Sequence, residues 1–181
     1  MNKLFLSLAI ALMAICANPA QAQMKVNKLG YVNSLELLDA LPEKKPADAE
    51  LEKYANDLYA SLEKMYVEYQ RKGVELQKGV QENTINEIDQ EMKAKELADM
   101  EKRISDFQEL ADEKIAKKRQ ALYQPLVDKI NTAIKDLAKE QGYTYIFDSS
   151  AGMILHAEES DNLLEALKKK LGVPAAPAAG K

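Results

Sequence analysis

A chain with one histidine, His156, and one cysteine, Cys16, has little from which to build a nucleophile or a metal centre. A nucleophilic thiol or hydroxyl needs a base within hydrogen-bond reach and a third group to orient that base. A zinc site needs several N or S ligands. Neither set can be assembled, so no enzyme, cofactor or metal is predicted. His156 sits in the apolar run Met153-Ile154-Leu155-His156-Ala157 and is read as a solvated or edge-strand residue. Asp148-Ser149-Ser150 is turn chemistry rather than a triad, because Asp and Ser side chains bond nearby backbone groups. What the spacing does support is weak, repeated apolar contact. Tyr59, Tyr66 and Val80 fall seven and fourteen residues apart with Gly73 between them. Val67 and Val74 stand beside them, and Ile85, Ile88 and Met92 follow. Tyrosine offers an apolar ring with a polar tip, suited to a wet surface that touches apolar chains; methionine adds adaptable contact. A stripe at helical spacing is also the ordinary mark of core packing. The same residues can therefore line a binding cavity or widen a helix–helix contact.

These residues lie on elements with a clear period. From Ala47, Leu51, Leu58 and Met65 recur every seven residues, as do Ala55, Leu62, Tyr69 and Leu76. The two series interleave at steps of four and three, the seam of a coiled coil. The seam weakens at Lys72, Gly79 and Asn83, which predicts a flexible distal end. Thr84 with Glu87 has the form of a capping box, so a second helix is expected from Ile85. Its stripe runs through Ile88, Met92, Leu97, Met100, Ile104, Phe107 and Ala111, shifts at Ile115, and continues through Leu122, Leu126, Ile130, Ala133 and Leu137 to a cap at Gly142. Pro125 should kink it. If the chain reverses near Asn83, Ala47 pairs with a residue near Leu122. Each arm helix then has about 36 residues and extends roughly 55 Å.

The flanking segments are short. Lys28 to Asn33 reads as a strand, and Asn33 with Glu36 opens a helix from Ser34 to Leu41. Pro42 to Pro46 reads as a linker. Tyr143 to Asp148 and Met153 to Ala157 read as two strands of a hairpin turned at Ser149 to Gly152. Ser160 is the expected cap of a last helix, Asp161 to Leu171. The predicted divisions are thus a leader at 1–22, a first body segment at 23–46, the helical arm at 47–124, a second body segment at 125–172 and a tail at 173–181. Such a body is too small to bury a good core alone, and its strand edges invite pairing. Association of several copies, closing those edges, is expected.

The first 22 residues read as an export signal: Lys3, an apolar run of about 12 residues from Leu4 to Ile15, and Ala20-Gln21-Ala22, with cleavage after Ala22. The run is shorter than the roughly 20 residues needed to span a bilayer, so no stable membrane insertion is expected. Ile15 is too bulky for the residue before a lipidated cysteine, which disfavours Cys16 as a lipid acceptor. Cleavage removes that cysteine, leaving packing and oligomerisation rather than disulfides as sources of stability. The formal charge is −4, one unit more negative once Lys3 is gone. Charges are mixed along the chain, so no basic face for nucleic acid is visible.

The order of Pro125-Leu126, Lys129-Ile130, Ala133-Ile134, Leu137-Ala138, Gly142-Tyr143 and Phe147-Asp148, behind an export signal, the first strand and a charged hairpin, resembles the OmpH/Skp family of periplasmic chaperones. The resemblance covers Lys28 to Leu171. It implies a mainly α fold with a small β part: a long antiparallel helical-hairpin arm on a small β-rich body, assembled as a jellyfish-like homotrimer. It also implies a periplasmic, ATP-independent holdase whose partners are unfolded outer-membrane proteins and the outer-membrane assembly machinery. Under that reading Tyr59, Tyr66, Val67, Val74, Val80, Ile85, Ile88 and Met92 bind clients. Better-known members are strongly basic and this chain is not, so no lipopolysaccharide site is carried over. The other reading is a coiled-coil spacer or adaptor of the cell envelope.

Overall fold

The computed structural model describes residues 27–174; the leader, Cys16, the cleavage site after Ala22 and the end of the tail lie outside them. Strand β1 (Leu29–Val32) comes first. Asn33 then caps α1 (Ser34–Ala40): its side-chain oxygen accepts from the backbone N–H of Leu35 and Glu36, both at 3.1 Å, satisfying two amides that have no partner inside the helix.

Helix α2 (Lys44–Gln81) starts inside the stretch read as a linker. Pro46 lies in its first turn, where a missing N–H has no helical acceptor to lose. Only Leu41, Pro42 and Glu43 therefore separate α1 from α2. The return helix α3 (Glu87–Gln141) begins two residues later than the Thr84 pattern predicts. Asn86 is the cap, accepting from Asp89 N–H at 2.8 Å. The Thr84 backbone N–H instead bonds the Gly79 carbonyl at 3.0 Å. Ile85, left outside the helix, folds over Gly79. A Cβ added there would meet Ile85 Cδ1 at 3.0 Å. Gly79, a lapse in the seam by sequence, is the buried seat of the tip. Asn83 accommodates the reversal with a φ of 50°.

Leu62, Ile104 and Ala111 are buried along the arm, and most other seam positions are half-buried, since two helices enclose little between them. Helix α3 runs on through Pro125, and beyond it burial becomes dense at Leu126, Ile130, Ala133 and Leu137. These pack with Val32, Leu37 and Leu41 from the start of the chain and with Leu163, Leu164 and Leu167 from its end. Gly142 ends α3 with a left-handed φ of 72°; its N–H and that of Tyr143 both bond the Ala138 carbonyl, the closure expected of a glycine C-cap.

The sheet corrects the hairpin reading. Strand β2 (Tyr145–Asp148) pairs parallel with β1, Leu29 opposite Tyr145 and Val32 opposite Asp148. Parallel partners need a long crossover, and the whole arm supplies it. Met153 to Ala157 forms no strand. The Asp148–Gly152 turn carries the chain off the sheet. The other edge of β1 is taken by Asn162, bridged to Tyr31, and by Leu163, whose N–H bonds the Tyr31 carbonyl at 2.9 Å. That contact keeps 162–163 extended, so the last helix is also shorter than predicted. A single 3-10 turn covers Glu159–Asp161, and α4 (Leu164–Lys170) starts with Leu164 N–H on the Asn162 side chain, not with Ser160 as cap. Gly30 permits the close packing of β1: a Cβ there would stand 2.7 Å from Leu163 Cδ1.

Candidate functional site

The polar groups singled out by sequence are structural. Asp148 accepts from Ser34 N–H at 3.1 Å, Ser34 Oγ at 2.5 Å and Ser150 N–H at 2.9 Å, fastening the end of β2 to the start of α1. Burial pushes its carboxyl up, but these hydrogen bonds together outweigh burial and hold it below the ordinary value. His156 is exposed, with Nε2 3.7 Å from Glu158 Oε1. Among the described residues no three His, Cys, Asp or Glu side chains converge.

The root of the arm carries a second polar fastening. Asp48 accepts from Lys44 at 2.6 Å and from the Tyr123 hydroxyl across the two helices. Lys129 reaches Glu43, and Lys118 reaches Glu50. The Lys44 bond, then the Tyr123 bond, hold the Asp48 carboxyl below its ordinary value. Lys129 does the same for Glu43. A carboxyl whose folded pKa lies below its unfolded one stabilises the fold above the unfolded value and loses that effect as pH falls through the folded value. Thermal stability should therefore hold from neutrality to about pH 5 and fall below about pH 4. Asp48→Asn should flatten part of that acid fall. Melting temperatures across pH for both proteins check this; identical profiles refute a role for the root.

The candidate contact residues occupy the rest of the arm. Tyr59, Tyr66, Val67, Val74 and Val80 are exposed on α2, and Ile88 and Met92 on α3, the last two at 71% and 66%. Two of them also border the crease between the helices, Tyr66 beside Glu101 and Ile104 and Met92 beside Met65. Ile85 differs, being half-buried as the plug over Gly79. The exposed residues do not form one surface. Tyr59, Tyr66 and Val67 line a shallow depression of about 410 Å3 on α2. Met92 lines a different groove of about 620 Å3, floored with Met65 and Met100. Met65 and Tyr66 are neighbours in sequence and so about 100° apart around the helix.

Two features went unread by sequence. Met65 and Met100, assigned to the seam, share this groove with Met92; the eight-residue spacing of Met92 and Met100 was the available signal. The body also exposes Leu29, Tyr145, Phe147, Met153 and Leu155. Tyr145 and Phe147 stack at 6.3 Å between centroids. Phe147, Met153, Ile154 and His156 border a hollow of about 430 Å3 beside β1. Among the described residues no helix is long and apolar enough to cross a membrane.

Among curated proteins, none matches this chain. In a crystal structure from Caulobacter crescentus CB15, a protein provisionally named as an OmpH-like outer membrane chaperone superposes with a TM-score of 0.66. It shares 16% sequence identity, and the match covers 81% of this chain and 84% of that one; at that identity the likeness is one of fold. The model of the OmpH-like outer membrane protein family matches residues 28–171, the strand, arm, sheet and last helix described above. The chain therefore belongs to the OmpH-like family.

Proposed function

We propose that the protein is an ATP-independent holdase of the periplasm that keeps unfolded outer-membrane β-barrel proteins from aggregating during transit and passes them toward the outer-membrane assembly machinery. Membership of the OmpH-like family supports a chaperone role. The observation that carries the finer reading is the apolar surface of the arm. Tyrosine, valine, isoleucine and methionine side chains stand in solvent along a rod, over open depressions. Scattered, adaptable contacts of this kind bind apolar segments weakly and reversibly. The charge pattern offers no competing affinity for nucleic acid.

Self-association belongs to the same reading. The exposed Leu29, Tyr145, Phe147, Met153 and Leu155 leave the body of one chain incomplete. Copies that cover these patches, as a homotrimer would, place their arms around a common space. An export signal cleaved after Ala22 delivers the chain to the compartment where its clients pass.

The test is dilution of a urea-denatured outer-membrane β-barrel protein into buffer with and without the signal-free chain. Light scattering should be suppressed at near-stoichiometric ratios without ATP, and a soluble complex of defined mass should form. Unchanged scattering, together with a fixed folded partner, would identify a spacer or adaptor instead.

A further inference from the structure

We propose that the methionine-floored groove on the distal arm is a docking slot for an extended stretch of unfolded polypeptide with apolar side chains on every second residue. This rests on the holdase reading and specifies where on the arm such a segment lies. The floor comes from both helices: Met65 from α2, Met92 and Met100 from α3. Unbranched, polarisable thioethers fill irregular contacts with side chains of many shapes. Met92 and Met100 are about 12 Å apart along α3 at 1.5 Å per residue. Same-face residues i and i+4 of an extended chain are about 13 Å apart, so two such side chains can rest on the two methionines at once.

The rim decides between an extended and a helical occupant. Lys95, Asp99 and Arg103 form an i, i+4 row along α3, and Glu68 lies on α2. Some opposite charges at i, i+4 on these helices are paired, as in Lys53–Asp57, Arg71–Glu75 and Lys78–Glu82. The rim charges make no such pair among the described residues, and their donors and acceptors border the groove. A helical segment keeps its own backbone groups bonded internally, whereas an extended one presents free N–H and C=O groups along both edges. Lys95 and Arg103 complement the carbonyls; Asp99 and Glu68 complement the amides. Glu96, which also lines the groove, is held ionised by Lys72 from α2, so its charge is already answered. Backbone edges on the rim and side chains on the methionines give recognition that tolerates many sequences but requires the alternating pattern.

The test uses the full signal-free chain and two fluorescent peptides of one composition. One alternates leucine and tyrosine with threonine; the other has the same apolar residues at steps of three and four. The alternating peptide should bind wild type about tenfold more tightly than its permuted counterpart. Met92→Gln/Met100→Gln, on partly exposed helical positions that glutamine suits, should weaken it about tenfold with helicity and assembly mass unchanged. Lys95→Gln/Arg103→Gln should also weaken it. Equal binding of the two peptides, or full binding by the methionine variant, overturns the slot. So does a change in assembly mass of that variant without a change in peptide binding, which would assign the groove to a neighbouring arm. In the aggregation assay, a wild type that fails to protect sinks the holdase reading. A wild type that protects, with a methionine variant that protects equally well, sinks only the slot.

Discussion

Leu37→Ala is expected to cost about 2–5 kcal/mol of folding stability, the range for deleting a fully buried leucine side chain. Leu37 is 0% exposed and packs in the one cluster that joins α1, the base of α3 and α4. The body has few such residues, and a domain's whole margin is about 5–15 kcal/mol, so the loss is a large fraction of what holds the arm's base together. Leu35 sits two residues away with its side chain 58% exposed; Leu35→Ala should stay within about 0.5 kcal/mol of wild type. Urea unfolding at one fixed protein concentration measures both, since association adds to apparent stability. A cost below about 1 kcal/mol for Leu37→Ala would mean that this cluster is not the cooperative core of the body.

Phe147→Asp/Met153→Asp should convert the assembly into single chains. Met153 is 83% exposed and Phe147 is 50% exposed with its one stacking partner, Tyr145, also at the surface, so the carboxylates stay in solvent in a single chain. In the proposed assembly, where this patch is the contact between copies, each would place an unpaired ionised carboxylate in apolar surroundings at a cost of several kcal/mol. Association should weaken by at least about a thousandfold, equivalent to roughly 4 kcal/mol. Sedimentation velocity should then report the mass of one chain, with helicity retained, and protection of unfolded clients should drop with it. An unchanged assembly mass would show that copies meet elsewhere.

The arm was readable because its determinants are local. Heptads, the Asn33 cap and the Gly142 cap each depend on residues a few positions apart. The elements at the start of the body were readable in the same way, but the pairing of its strands was not, because the partner of a strand is chosen by tertiary geometry. Tyr145–Asp148 and Met153–Ala157 have equally strand-like composition, yet the first pairs with β1 at the far end of the described chain and the second pairs with nothing among the described residues. Ile85 over Gly79 is likewise a tertiary contact; by sequence the same residues were a helix start and a gap in a seam. Among the candidate residues, type and exposure were predictable, but their division into a tyrosine side and a methionine groove was not. That division depends on where Met65 points relative to Met92, which neither helix encodes alone.

The parallel pairing of β1 with β2 also orders events in time. The two strands come from opposite ends of the described chain, so nothing local can seed the sheet, and long-range pairing of this kind is intrinsically slow. The hairpin, built from neighbouring turns, can form once α2 and α3 as far as Lys129 exist. The sheet must wait for residues 145–148, and its second edge for Asn162 and Leu163. A chain emerging N-terminus first thus holds the residues of the rod before it holds those of the foot. If copies associate through the body, as proposed, they can do so only once those late residues are in place, so a truncated chain would lack the surface for assembly.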